Sequence, residues 1–160
     1  MIEVLHDRID AFFRAATEAQ PAAFSCAPGC DACCRVDLAV FPVEAARVRA
    51  AFQALTAQAR RDAAARARAG KHCAMLDGAG RCRVYGARPA ICRSHGLAIL
   101  VDGRLDACPK NYRDEAPRRP HVLDIETLNE AIVRVDAAFG GRGERVRLAD
   151  IAVEEDGEAR

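Results

Sequence analysis

Cys26-Ala27-Pro28-Gly29-Cys30-Asp31-Ala32-Cys33-Cys34 is the stretch of sequence on which the fold depends. Its spacing is C-x3-C-x2-C-C, and it holds four of the eight cysteines in a chain of 160 residues. Thiols crowded this closely indicate soft-metal binding, disulfide formation or redox chemistry. Pro28 and Gly29 suit the centre of a type II turn, and the spacing from Cys30 onward suits a helical turn. We therefore predict a turn followed by a helix, which together form a nest for metal.

The adjacent pair Cys33-Cys34 adds a geometrical expectation. On an α-helix, successive side chains diverge by about 100°. We therefore expect that both thiols cannot easily bind one ion together with Cys30. Either one thiol is a ligand and its neighbour packs as a small hydrophobe, or a polynuclear centre takes both.

The other four cysteines lie further along the chain, and three of them belong to a second motif. That motif reads Cys73-x8-Cys82-Arg-Val-Tyr85-Gly-Ala-Arg88-Pro89-Ala-Ile-Cys92-Arg93. Together, the two motifs resemble the YkgJ-type cysteine-cluster family, whose members are described as chelating zinc or iron. The resemblance covers roughly Cys26 to Tyr112, and both motifs occur in the expected order.

All eight cysteines are candidate metal ligands, in one of two arrangements. They could form two tetrahedral four-cysteine sites, or one iron–sulfur cluster with a spare set of thiols. Zinc and iron, including an iron–sulfur cluster, are the expected cofactors. The candidate ligands are Cys26, Cys30, Cys33, Cys34, Cys73, Cys82, Cys92 and Cys108.

Five other side chains near the cysteines could assist a metal site. His72 and His95 could each replace a cysteine, although a surface or hydrogen-bonded histidine is the more ordinary interpretation. Arg88 and Arg93 could offset the negative charge of a four-thiolate site, or could be ordinary surface arginines. The resemblance favours the first interpretation, because both arginines match the family motif. Tyr85 occupies the aromatic position of the motif, either as a donor to a sulfur or as part of the core.

Composition bounds the function. The formal net charge is +1 and tryptophan is absent, so neither a strong electrostatic attraction to nucleic acid nor a base-stacking platform is expected. Early charges at Glu3, Asp7 and Arg8 argue against a signal peptide, and no apolar run is long enough to span a bilayer. We expect a cytoplasmic protein without a membrane partner, in which clustered cysteines bind a metal ion rather than form disulfides.

The predicted fold class is α+β, a small single domain over residues 1–160 with a cysteine-cluster core over 26–112. Three main helices and short β-hairpins are expected around a cysteine-ligated metal centre. Apolar periodicity and end signals place the helices at 2–19, from Pro42 to Gly70, and at about 124–139. Extended segments are predicted at 36–40, 73–85 and 96–101, the last followed by an Asp102-Gly103 turn. The tail after Asp156 is expected to fray.

Two classes of function follow. The first is a metal-binding module that serves storage, delivery or stability. The second is an enzyme or enzyme component that uses an iron–sulfur centre for redox or methyl-transfer chemistry, because flagellin lysine N-methylases carry a similar cysteine-cluster motif. Those enzymes are much longer and are similar only across the motif. A thioredoxin-like role is disfavoured, because the Cys30-x2-Cys33 pair lacks a surrounding βαβ pattern.

Overall fold

A computed structural model describes residues 1–70 and 72–157, and these contain both helices and short sheets. The predicted α+β class is confirmed. The helices are α1 (Ile2–Ala19), α2 (Pro42–Gln53), α3 (Ala57–Ala69), α4 (Ala90–Ser94), α5 (Ile125–Phe139) and α6 (Leu148–Gly157). The strands are β1 (Ala39–Val40), β2 (Ala98–Val101), β3 (Arg104–Asp106), β4 (Val122–Asp124) and β5 (Val146–Arg147).

The chain forms two compact units. Unit 1 consists of Met1–Ala27 and Ala90–Val135, and unit 2 consists of Pro28–Pro89 and Asp136–Arg160. The prediction that residues 1–160 fold as one domain, with a cysteine-cluster core over 26–112, stays a prediction. Residues 158–160, in the tail that is predicted to fray, lie outside the described residues.

Unit 1 is built from α1, α4 and a three-stranded sheet. α1 spans the range predicted from its apolar period and buries Ile2, Ile9 and Ala16 on one face. The sheet order is β3-β2-β4, with β3 antiparallel and β4 parallel to β2. Asp102 and Gly103 both have positive φ, at 48° and 72°, as a type I′ turn requires. The predicted hairpin therefore forms, and Cys108 follows its second strand.

In unit 2, the single helix predicted from Pro42 to Gly70 is two helices, and the prediction was wrong. The chain turns at Thr56, whose hydroxyl accepts the Ala59 N–H at 3.2 Å and caps α3. Arg60 then donates to the carbonyls of Gln53 and Leu55, at 2.7 and 3.2 Å. These bonds satisfy backbone groups that the break in the helix leaves open.

The core of unit 2 lies among α2, α3 and α6, and it includes one of the candidate ligands. α6, which the sequence analysis did not predict, packs against α3 and α2. The predicted strand at 36–40 shortens to β1, which pairs with β5. The hairpin predicted over 73–85 reduces to one antiparallel bridge between Leu76 and Cys82. The buried core residues include Val48, Phe52, Ala63, Cys73, Met75 and Ile151.

A buried carboxylate holds the start of α2. The Asp136 side chain is 2% exposed and accepts the Val43 N–H at 3.0 Å. Because Val43 lies in the first turn of α2, this bond satisfies a donor that the helix itself cannot. We expect Asp136→Ala to lower the free energy of unfolding by about 1–3 kcal/mol, the cost of an unsatisfied buried donor.

Urea unfolding followed by circular dichroism measures this change. The control is Glu130→Ala on the same helix, whose carboxylate is exposed and pairs with Arg134. It should change stability by less than about 1 kcal/mol. Equal losses in the two variants would contradict the structural role of Asp136.

Candidate metal centre

The C-x3-C-x2-C-C run contains less helix than predicted. Pro28 and Gly29 form the expected turn, with Gly29 at φ +89°. Beyond Cys30, however, only Ala32–Cys34 is helical, as a single 3-10 turn closed by the Cys34 N–H donating to the Asp31 carbonyl at 2.8 Å. A tight turn of three residues does not impose the side-chain directions of an α-helix.

The two adjacent thiols therefore lie close together. The Sγ atoms of Cys33 and Cys34 are 3.9 Å apart. Two thiolates on one tetrahedral zinc, with Zn–S bonds of about 2.3 Å, would be about 3.8 Å apart. The expectation that the two thiols cannot easily share an ion rested on an α-helix that does not form here, and the separation of the two sulfurs suits one metal.

Cys73 and Cys82 join this pair from a distant part of the sequence. The Cys73 N–H donates to the Cys34 carbonyl at 2.8 Å, which ties the second motif to the first. Burial raises the pKa of the Cys73 thiol, and the nearby charges of Cys82 and Cys33 raise it further. The Leu76–Cys82 bridge returns the chain so that Cys82 is also half-buried. Unit 2 thus gathers Cys33, Cys34, Cys73 and Cys82 within electrostatic reach, and it also contains Cys30.

Two further side chains of unit 2 bear on metal binding. His72 has a buried Nδ1 with no hydrogen-bond partner. In its neutral form this ring nitrogen could serve as an additional metal ligand beside Cys73. The hydrogen bond to Cys34 raises the pKa of Cys33, and burial raises the pKa of Cys82. The positive charge of Arg88 acts in the opposite direction on both thiols, but it is a smaller effect. The suggested role of Arg88 in offsetting the charge of a thiolate site stays a prediction.

Tyr85 is 62% exposed, so its interpretation as part of the core was wrong. The Arg88 guanidinium lies 3.6 Å from the centre of the Tyr85 ring, and its Nε donates to the Tyr85 carbonyl. The family's aromatic position thus orients an arginine whose charge favours thiolates.

Unit 1 contains the other three cysteines. Cys92 lies on α4, and Cys26 and Cys108 lie in loops. Arg93, also on α4, is 7% exposed and donates to Asp10 of α1. The predicted role of Arg93 in offsetting thiolate charge stays untested. His95 is exposed overall, although neighbouring atoms partly cover its ring, and this partial desolvation lowers the pKa of His95.

Asn111 is a site residue that the sequence analysis missed. It is 4% exposed, and its Nδ2 lies 3.4 Å from Cys26 Sγ and 2.7 Å from the Gly96 carbonyl. Its Oδ1 accepts the Ser25 N–H at 2.9 Å. Gly96 has φ +104°, and a Cβ there would come within 3.0 Å of Cys26 Sγ. The side-chain amide of Asn111 thus joins Cys26 to Gly96, and only the position of Asn111 three residues after Cys108 could have indicated this contact.

The donor set fits a soft metal, although the ligands are not fully converged. None of the eight cysteines forms a disulfide. Across residues 1–70 and 72–157, no group of three or more Cys, His, Asp or Glu side chains is already arranged to hold one ion. The Cys33 thiol has a raised pKa because of its hydrogen bond to Cys34, and Cys73 and Cys82 have raised pKa values because of burial. An ion would therefore draw the thiols together and displace their protons.

Comparison with known protein families decides what this set of thiols is. A family model named CxxCxxCC, described as a "putative zinc- or iron-chelating domain", matches residues 25–122 of the 160-residue chain, which is more than half. The chain belongs to this family. It is a metal-binding cysteine-cluster protein, and its motif has three residues rather than two between Cys26 and Cys30. No match is found among curated proteins or among solved structures.

In the described part of this CxxCxxCC protein, no helix is both long enough and apolar enough to cross a bilayer.

Proposed function

We propose that unit 2 binds one zinc or iron ion through the thiolates of Cys33, Cys34, Cys73 and Cys82. The observation that carries this proposal is the 3.9 Å separation of the Cys33 and Cys34 sulfurs, which suits two ligands of one ion. The hydrogen bond from Cys73 to the Cys34 carbonyl holds the two motifs together at that point. His72 supplies a spare donor in the same unit.

The protein's own residues supply two things to such an ion. Burial of Cys33, Cys73 and Cys82, partial for Cys33 and Cys82, keeps water away from the thiolates. Arg88, held against Tyr85, offsets part of the charge of four thiolates. The remaining ligand candidates are Cys30 in unit 2 and Cys26, Cys92 and Cys108 in unit 1.

The function that follows is a metal-binding module for storage, delivery or structural stability. A bound ion would join the Ala32–Cys34 turn to the segment from Cys73 to Cys82, which is distant in sequence. The alternative is an iron–sulfur centre that serves redox or methyl-transfer chemistry. A cluster of that kind would distribute the thiolates over several irons rather than place an adjacent pair on one.

Anaerobic purification followed by elemental analysis and absorption spectroscopy tests the proposal. We expect zinc or iron at one or more atoms per chain, and two atoms would support the use of all eight thiols. Zinc gives a colourless protein, whereas an iron–sulfur centre absorbs visible light and releases sulfide in acid.

The variant for this test is the double substitution Cys73→Ser/Cys82→Ser, and its matched control is Cys92→Ser in unit 1. The double variant should lose the ion of unit 2, and the control should keep it. A wild-type protein that contains neither metal after anaerobic purification and supply of both metals would contradict the proposal. Full metal retention in the double variant would contradict the ligand assignment.

A further inference from the structure

A groove on unit 2 is lined by none of the cysteines and has no assigned role. Its volume is about 470 Å3, and it lies between α2 and the turn at Tyr85–Ala87. Small side chains, Ala50 and Ala51 from α2 and Val84 from the facing segment, form its apolar surface. A space of this size is typical of small-molecule sites.

Two arginines face this groove from its two walls. Arg47 belongs to α2, and Arg83 belongs to the facing segment. The lining, which consists entirely of described residues, includes no acidic side chain. The Arg88 guanidinium is stacked on Tyr85, whose exposed ring also lines the groove. The groove therefore concentrates positive charge around an apolar surface, although the whole chain has a formal charge of only +1.

Arg83 has an unused donor there. Its side chain is 16% exposed, and its Nε is buried without a hydrogen-bond partner. Its ion pair with Asp62 is long, at 3.8 Å, and Asp62 is itself half-exposed and accepts a hydrogen bond from Gln58. Asp62 therefore engages the Arg83 guanidinium only weakly, and the guanidinium can donate to an acceptor bound in the groove.

We infer that the groove binds the oxyanion of a small molecule, either a phosphate or a carboxylate, between Arg47 and Arg83. A guanidinium group presents a planar fork of donors that matches both oxyanions. Ala50, Ala51 and Val84 would contact an apolar portion of the same ligand. None of the residues that line the groove is itself a proposed metal ligand, and metal content is therefore measured on every variant.

Isothermal titration of the metal-loaded protein tests this inference with two probes, inorganic phosphate and succinate, at constant ionic strength. We expect saturable binding of at least one probe, and the probe that binds identifies which oxyanion the groove prefers. Arg83→Gln and Arg47→Gln should each weaken that binding at least about tenfold, since each removes a charged donor. The control is Arg61→Gln, an exposed arginine of α3 that donates to Gln58, and it should bind like the wild type.

Three results would overturn the inference. The first is the absence of saturable binding of either probe to the wild-type protein. The second is wild-type affinity in both groove variants. The third is an equal loss in the Arg61→Gln control, which would indicate a general effect of charge. Circular dichroism and metal content, measured on every variant, separate a loss of binding from a loss of fold or of the metal centre.

Discussion

Removal of the bound metal by a strong chelator is expected to lower the melting temperature of the protein by more than about 10 °C. The thiols proposed as ligands in unit 2 come from segments that are far apart in sequence. Without a cation, a backbone hydrogen bond from the Cys73 N–H to the Cys34 carbonyl joins these two segments. A structural metal contributes its binding free energy to folding, because the unfolded chain has no preformed site.

The loss should be partial at room temperature rather than complete. Most of the core of unit 2, including Phe52, Met75 and Ile151, consists of side chains other than the proposed ligands, although Cys73 belongs to it. Segments with few core contacts, such as the turn at Ala32–Cys34, should open first. We therefore expect the chelated protein to keep its helical circular dichroism at 25 °C while its thermal transition moves to lower temperature.

Differential scanning calorimetry with and without the chelator measures the shift, and elemental analysis confirms that the metal has been removed. Adding back one equivalent of the original metal should restore the transition. The control for direct effects of the chelator is the double variant Cys33→Ser/Cys34→Ser, whose transition should not respond. An unchanged melting curve in metal-depleted wild-type protein would rule out a structural role and favour storage or delivery.

The predictability of the fold from sequence differs between its helices. α1 could be placed because Ile2, Ile9 and Ala16 repeat at the helical period and are buried. The break between α2 and α3 was missed because helix-forming residues continue on both sides of Thr56, and Thr56 caps a helix only once the chain has turned. α6 was missed although Leu148, Ile151 and Ala152 carry a helical period, because its burial depends on packing against α3.

The candidate site was likewise predictable from sequence only in part. Spacing alone predicted clustered thiols, because so many cysteines in one short run require a chemical reason. It could not show which distant thiols lie near Cys33 and Cys34, because tertiary structure decides that. The ion pair of Arg93 with Asp10 and the contact of Asn111 with Cys26 join residues distant in sequence. No pattern along the chain indicates such pairs.

The adjacent thiols of Cys33 and Cys34 were expected to differ because an α-helix was predicted there, and the structure has a 3-10 turn instead. Cys33→Ser and Cys34→Ser are expected to behave alike, each losing the metal of unit 2. Their sulfurs are 3.9 Å apart on a 3-10 turn, a separation that one tetrahedral ion can bridge. Loss of either thiolate should weaken metal affinity by more than about a hundredfold, because even groups that only support a ligand change it by 10–100-fold.

Metal content after dialysis against a weak chelator, and affinity from competition titrations, measure both variants. Cys92→Ser is the matched control, because it makes the same thiol-to-hydroxyl change in unit 1 and should leave the ion of unit 2 in place. If one variant keeps full occupancy while the other loses it, only one of the two thiols is a ligand. The remaining thiol would then pack as a small hydrophobe.

The proposal of a single shared ion would also be contradicted by evidence for a polynuclear centre. If both variants lose metal and the wild type contains several irons per chain with acid-labile sulfide, the centre is polynuclear. Each thiolate would then meet a different iron, and the two sulfurs would have to move apart from their 3.9 Å separation when the cluster forms. Equal loss in both variants, with one atom of zinc or sulfide-free iron in unit 2, is the combination that a shared mononuclear site requires.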